Sequence, residues 1–171
     1  MNQATMYLIL GGVRSGKSAY AMQLALRLAQ NPVYIATARV WDDDFKKRVE
    51  RHKIGRDNHW RTIEEQKYLS KLDLDGSVVV VDCVTLWLTN FFTDANGDVE
   101  KVVRTIQIEF DELSKQNATL IFVSNEVGMS IHNTTELGRK FADAQGWINQ
   151  YIAARASKII LMVAGIPVPI K

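Results

Sequence analysis

A chain of 171 residues, 47% hydrophobic and 23% charged, has the length and composition of one globular domain with a sizeable core. Its formal net charge of +2 is too small to draw in nucleic acid through the overall field, so anionic ligands must be caught by local geometry. One cysteine, Cys83, excludes an internal disulfide framework and a cysteine-based metal site, and no run approaches the roughly 18 apolar residues that span a bilayer.

The first apolar run, Met6–Leu10, feeds Gly11-Gly12-Val13-Arg14-Ser15-Gly16-Lys17-Ser18, and a helix-forming stretch, Ser18–Gln30, follows. Gly11, Gly16, Lys17 and Ser18 fit G-x-x-x-x-G-K-[ST], a phosphate-binding loop. Glycines let successive backbone N–H groups turn inward as an anion nest, and the following helix adds the positive end of its dipole. In such a loop Lys17 reaches the β and γ phosphates and the Ser18 hydroxyl ligates Mg²⁺. Asn31-Pro32 ends the helix. The second run, Val33–Ala36, exits through Ala36-Thr37-Ala38. Small residues there either let a base or ribose approach the backbone or simply allow tight packing.

Asp43–His52 reads as a helix, with Asp42 as its N-cap and Phe45, Val49 and His52 on one face. His52 is either a packed or surface residue or, among Arg51, Lys53, Gly55 and Arg56, a participant in phosphate chemistry. Nearby cations favour the neutral imidazole, which can attack phosphorus. His59 is the rival nucleophile. Thr62 with Glu65 fits a capping box opening a helix over Glu64–Leu72; the box does not explain Glu64, which is either a functional acid or a solvated first-turn one.

Val78–Val81 is a third strand ending in Asp82, the pattern in which a carboxylate after a phosphate loop holds Mg²⁺ directly or through water. Cys83–Phe92 is apolar enough to be buried, either in the core or against a partner subunit. A helix over Val99–Gln116 precedes a fourth strand, Leu120–Val123, whose exit Ser124-Asn125-Glu126-Val127-Gly128-Met129-Ser130 is a plain or a site-lining loop. A helix over Arg139–Arg155 and a fifth strand, Ile159–Val163, close the series. Strands that are continuously apolar and alternate with helices specify an α/β fold with a parallel sheet buried on both faces. With no internal repeat or linker-like tract, residues 1–171 read as one domain. The start of the chain lacks a basic segment followed by a cleavable apolar one, which reads as cytoplasmic.

Assembled, these stretches closely resemble the bifunctional cobinamide kinase / cobinamide-phosphate guanylyltransferase family of cobalamin biosynthesis. The resemblance rests on Gly11–Ser18, Tyr34–Ala38, Arg51–Arg56, Trp60–Glu65, Val81–Asn90 and Val123–Gly128, with Arg139, Phe141, Asp143, Gly146, Asn149-Gln150 and Ala164–Pro167. It implies a three-layer αβα, RecA-like phosphate-loop fold with a mostly parallel sheet, in a homotrimer. It further implies phosphorylation of the aminopropanol hydroxyl of adenosylcobinamide by ATP or GTP. GMP is then transferred from GTP to that phosphate through a guanylylated histidine, at His52, with release of pyrophosphate. The nucleotide contacts so implied are Gly11, Gly12, Val13, Arg14, Ser15, Gly16, Lys17, Ser18, Ala36, Thr37, Ala38, Lys53, Ile54, Gly55, Arg56, Glu64 and Asp82. One block departs from the family: Ser130-Ile131-His132-Asn133 replaces a glycine-isoleucine-valine-proline run, and Ala142 replaces an arginine. Two other readings remain open, a guanylyltransferase with weak or absent kinase activity and a GTP-binding regulatory module.

Overall fold

The computed structural model describes residues 4–39, 59–129 and 133–171. The expected helix over Asp43–His52 and residues Ser130, Ile131 and His132 lie outside the described residues.

Every described strand joins one sheet. In chain order the elements are β1 (Thr5–Gly11), α1 (Lys17–Leu28), β2 (Val33–Ala36), β3 (Arg61–Glu64), β4 (Val78–Asp82), α2 (Val84–Asp94), α3 (Val99–Leu113), β5 (Thr119–Val123), α4 (Glu136–Arg155), β6 (Lys158–Val163) and β7 (Ile166–Pro169). The sheet runs β3-β2-β4-β5-β1-β6-β7. All pairings are parallel except β6 with β7, which are antiparallel.

The apolar strands divide their side chains between two cores, because successive residues of a strand point to opposite faces. Leu8, Ile35, Val81 and Phe122 pack with Trp87 and Leu88 of α2, Phe110 of α3 and Ile148 and Ile152 of α4. Their neighbours Ile9, Tyr34, Val80 and Ile121 pack on the other side with Ala21 and Ala25 of α1. The three-layer arrangement follows from this alternation.

Four points of the sequence reading are changed, resolved or extended. Glu64–Leu72 is not a helix opened by a Thr62–Glu65 capping box. Thr62 and Glu64 lie in β3, and only Leu69–Lys71 forms a short 3₁₀ turn. Tertiary bonds override the local signal. Glu65 N donates to Ala36 O (3.2 Å), and Glu65 Oε1 instead accepts from Lys67 N (2.8 Å) and Tyr68 N (3.0 Å). The carbonyls of Gln66 and Lys67 are taken by Asn90 Nδ2 (2.9 Å) and Trp87 Nε1 (2.8 Å), so they are not spent within a helix. Second, the apolar Cys83–Phe92 stretch is α2, buried within its own chain at Trp87 and Leu88. Third, Ala164-Gly165 forms a tight turn with φ values of 49° and 84°, folding β7 back on β6. The last helix also starts earlier than expected, at Glu136, capped by Thr135 Oγ1 accepting from Gly138 N (3.1 Å).

Candidate functional site

Parallel strands end together, and register aligns their carboxyl ends: Ala36 of β2 lies beside both Glu64 of β3 and Asp82 of β4, and Asp82 beside Val123 of β5. Gly11 closes β1 along this same edge, where open α/β sheets gather their ligands. The fold therefore brings Gly11–Ser18, Ala36–Ala38, Glu64 and Asp82 to one edge. His59 is not there. It precedes β3 at the opposite, amino end, beside a hollow of about 590 Å³ lined by Leu26 and Ala29–Asn31. His52, Lys53, Ile54, Gly55 and Arg56 lie outside the described residues.

The loop between β1 and α1 is shaped by its glycines. Gly16 caps α1 with φ 94°. At Gly11, φ is 148°, and a Cβ would stand 2.6 Å from Met162 O and 2.7 Å from Ser15 Oγ. Lys17 donates to Gly12 O, folding its ammonium back over the loop. It is 7% exposed. Burial pulls its pKa below the ordinary lysine value, opposed by Cys83 and by the Asp82 carboxylate. Ser15 Oγ is buried without a hydrogen-bond partner among the described residues, a donor left for an anion in the nest. Gly165 N donates to Ser15 O (3.0 Å), so the β6–β7 turn braces the loop. That brace is absent from the sequence reading. The Ala-Gly pair between two β-rich runs is the hairpin signal that marks it.

Asp82 is half-buried and held at Oδ2 by the Tyr34 hydroxyl (2.8 Å). Ser18, the second residue of α1, is half-buried as well. A carboxylate and a hydroxyl are hard oxygen donors suited to Mg²⁺. Among the described residues no group of three or more His, Cys, Asp or Glu side chains forms a protein-only cage. The donor set thus suits a cation that draws its remaining ligands from phosphate and water.

Thr37 has a different task from the one its neighbours suggest. Fully buried, it donates from Oγ1 to Cys83 O (2.8 Å) and accepts from Cys83 N (2.8 Å). Its backbone N donates to Asp82 O (3.2 Å), and its carbonyl accepts from Asn90 Nδ2 (2.8 Å). Thr37 clamps the exit of β2 to the exit of β4 and so sets where Asp82 stands. Of the two readings of Ala36-Thr37-Ala38, tight packing accounts for the Thr37 side chain. Cys83 is buried as expected, and burial pushes its thiol up to about 12.

On the other side of the loop, a cavity of about 610 Å³ opens between Gly12-Val13, Asn125–Val127, Phe141 and Met162–Ala164. Of the Ser124–Ser130 exit, Asn125, Glu126, Val127 and Met129 line this cavity. Thr85 Oγ1 fixes the exit by accepting from Asn125 N (3.2 Å) and Nδ2 (3.0 Å).

The model of the cobinamide kinase / cobinamide phosphate guanyltransferase family matches residues 7–170. The chain belongs to this family. It is accordingly an enzyme of the bifunctional cobinamide kinase / guanyltransferase type. Among its relatives is the bifunctional adenosylcobalamin biosynthesis protein CobP of Pseudomonas aeruginosa, 38% identical over 168 residues and covering 96% of each chain. Another is the bifunctional adenosylcobalamin biosynthesis protein CobU of Escherichia coli, 38% identical, with 97% of this chain and 99% of that one covered. In fold the chain is similar to the flagellar accessory protein FlaH of Methanocaldococcus jannaschii, with TM-score 0.50 and 13% identity over 100% of this chain and 80% of that one. That likeness bears on the fold alone. Among the described residues no helix of this family member is long and apolar enough to cross a membrane.

Proposed function

We propose that this cobinamide kinase / guanyltransferase phosphorylates adenosylcobinamide with ATP or GTP and then transfers GMP from GTP to the new phosphate. The observation that carries the reading is the family match across residues 7–170 joined to an intact phosphate loop, with Lys17 folded over it and Asp82 on the same sheet edge. In this reading Gly11 to Ser18 cradle the triphosphate, and Ala36 to Ala38, Glu64 and Lys53 to Arg56 surround the nucleoside and α phosphate. Ser18 and Asp82 would hold Mg²⁺, which neutralises phosphate charge during transfer. In this reading Lys17 supplies the cation that the γ phosphate needs, and its low exposure would keep that charge poorly screened.

The two reactions attack different phosphorus atoms, and the loop serves only one of them directly. Guanylyl transfer displaces pyrophosphate from the α phosphate. A histidine nucleophile divides that displacement into two steps: neutral imidazole nitrogen bonds the α phosphorus as the bond to pyrophosphate breaks, and the cobinamide phosphate oxygen then displaces the imidazole. His52, among Arg51, Lys53 and Arg56, is the histidine we assign to it. The protein acts as one domain, in the cytoplasm, with a homotrimer as its assembly.

Incubation with α-labelled GTP and Mg²⁺ should leave an acid-labile, base-stable label on the protein, abolished in His52→Asn. A folded His52→Asn protein that still takes the label would move the nucleophile elsewhere. An active wild type that takes none would remove the covalent step altogether.

A further inference from the structure

The exit of β5 carries polar machinery that nucleotide binding does not require. Ser124, Gln145 and Asn149 are 0%, 1% and 6% exposed. Asn149 Oδ1 accepts from Ser124 Oγ (2.6 Å) and Gln145 Nε2 (3.0 Å). The acceptors that face its other end, a backbone carbonyl and a carboxylate, set which way the Asn149 amide points. Its Nδ2 then donates to Asn125 O (3.1 Å) and to Glu126 Oε1 (3.0 Å). Buried side chains thus spend their hydrogen bonds on fixing one carboxylate. The same residue is tied to the phosphate loop, since Glu126 N donates to Gly11 O (3.3 Å).

Position gives that carboxylate its meaning. β5 lies between β1, which carries the phosphate loop, and β4, which carries Asp82. Glu126 lies three residues beyond the end of β5, half-buried, on the wall of the 610 Å³ cavity. Among the described residues no cation pairs with it, and its bond to Asn149 leaves Oε2 uncommitted. The rest of the wall is largely apolar: Val13, Met129, Phe141 and Val163 contribute, with Phe141 anchored edge-on against Phe92 at 5.3 Å. Without a bridging cation, an acid beside a phosphate loop repels nucleotide phosphate, and Asp82 already serves the cation role in the proposed function, so a second fixed carboxylate calls for another task.

We propose that this cavity receives the hydroxyl-bearing arm of the corrinoid, and that the Glu126 carboxylate is the base for its phosphorylation. The inference rests on the kinase half of the proposed function. In this arrangement the corrin ring stays outside while the arm enters along the apolar wall. The arm's alcohol is neutral, and it must lose a proton as it attacks. Its oxygen bonds the γ phosphorus as the bond from that phosphorus to the bridging oxygen breaks, with the electron pair leaving on the nucleoside diphosphate. Glu126 takes the hydroxyl proton and later releases it to water. Glu126 is thereby a catalytic residue that the phosphate-loop pattern does not contain.

The test uses the full chain with Mg²⁺, γ-labelled GTP and adenosylcobinamide, comparing wild type with Glu126→Gln and Val163→Asp. Glutamine keeps the shape and the Oε1 acceptor for Asn149 while losing the base. Its kcat for phosphorylation should fall about 100-fold or more, the usual worth of a positioned base. GTP affinity by calorimetry should stay within about twofold, which excludes misfolding. Val163 is 52% exposed, so an aspartate there is compatible with folding. It places a charge on the apolar wall and should raise KM for cobinamide about tenfold without raising KM for GTP. A Glu126→Gln enzyme phosphorylating at the wild-type rate, or a Val163→Asp enzyme with unchanged KM for cobinamide, overturns the assignment. A wild type that takes label from α-labelled GTP yet never phosphorylates cobinamide overturns the kinase reading itself, and does so before any variant is compared.

Discussion

Replacing Thr37 by valine tests whether the clamp between β2 and β4 is structural. Valine matches the shape of threonine but removes the hydroxyl that bonds both Cys83 O and Cys83 N at 2.8 Å. Thr37 is fully buried and Cys83 is 7% exposed, so water cannot replace the lost partner. One donor and one acceptor are orphaned at about 1–3 kcal/mol each, which gives roughly 2–5 kcal/mol after the gain from the added methyl. A domain of this size has only about 5–15 kcal/mol in hand. At a urea slope of about 2 kcal/mol/M the midpoint should fall by about 1–2.5 M with the slope unchanged. Thr37→Ser is the control. It keeps the hydroxyl and loses one methyl, so it should cost about 1 kcal/mol. Because the clamp sets Asp82, surviving Thr37→Val protein should also bind Mg²⁺–GTP more weakly than Thr37→Ser. If valine costs less than about 1 kcal/mol, or no more than serine, the bonds to Cys83 do not hold the edge together.

Two further outcomes follow from the same geometry. Gly11→Ala should lose at least about 2 kcal/mol and bind GTP more than tenfold more weakly, because its Cβ would meet the Met162 carbonyl at 2.6 Å on a backbone with φ 148°. Thermal melting and calorimetry read both effects, and a variant matching wild type in each would refute the close packing of loop and β6. Cys83, with its thiol raised by burial to about 12 from 9.0, should react with iodoacetamide at pH 8 roughly 1000-fold more slowly in the folded chain than in denaturant. Since the folded state holds this proton more tightly, stability is complete below pH 9 and falls as pH rises toward 12. Cys83→Ala should remove that alkaline loss, as followed by urea titrations across the range.

Much of the fold and part of the site are written locally. Glycines at Gly11 and Gly16, a lysine and a serine in fixed spacing specify the phosphate loop, because the turn, the nest and the helix start all lie within a few residues. Unbroken apolar runs specify buried strands for the same reason. Such a run announces that both faces are covered without saying by what. Cys83–Phe92 showed apolar content but not its partner, and only packing made it α2 against its own sheet. Nothing in the chain around residue 34 indicates that Tyr34 will hold Asp82, 48 positions away. Register brings them together, and register is a property of two strands.

The sequence by itself determined the phosphate-loop pattern and the alternation that makes an α/β sheet, and it raised Asp82 and His52 as candidates. Tertiary structure decided what local pattern could not. It turned Glu64–Leu72 from an expected helix into a strand and a tied-down turn, since distant side chains from α2 satisfied the carbonyls a helix would have used. It moved His59 to the far end of the sheet, gave the Thr37 hydroxyl to Cys83, and aimed Glu126 beside the phosphate loop. Those outcomes depend on hydrogen bonds between residues far apart in sequence. The free energy that fixes them arises only when the sheet has closed and water has left.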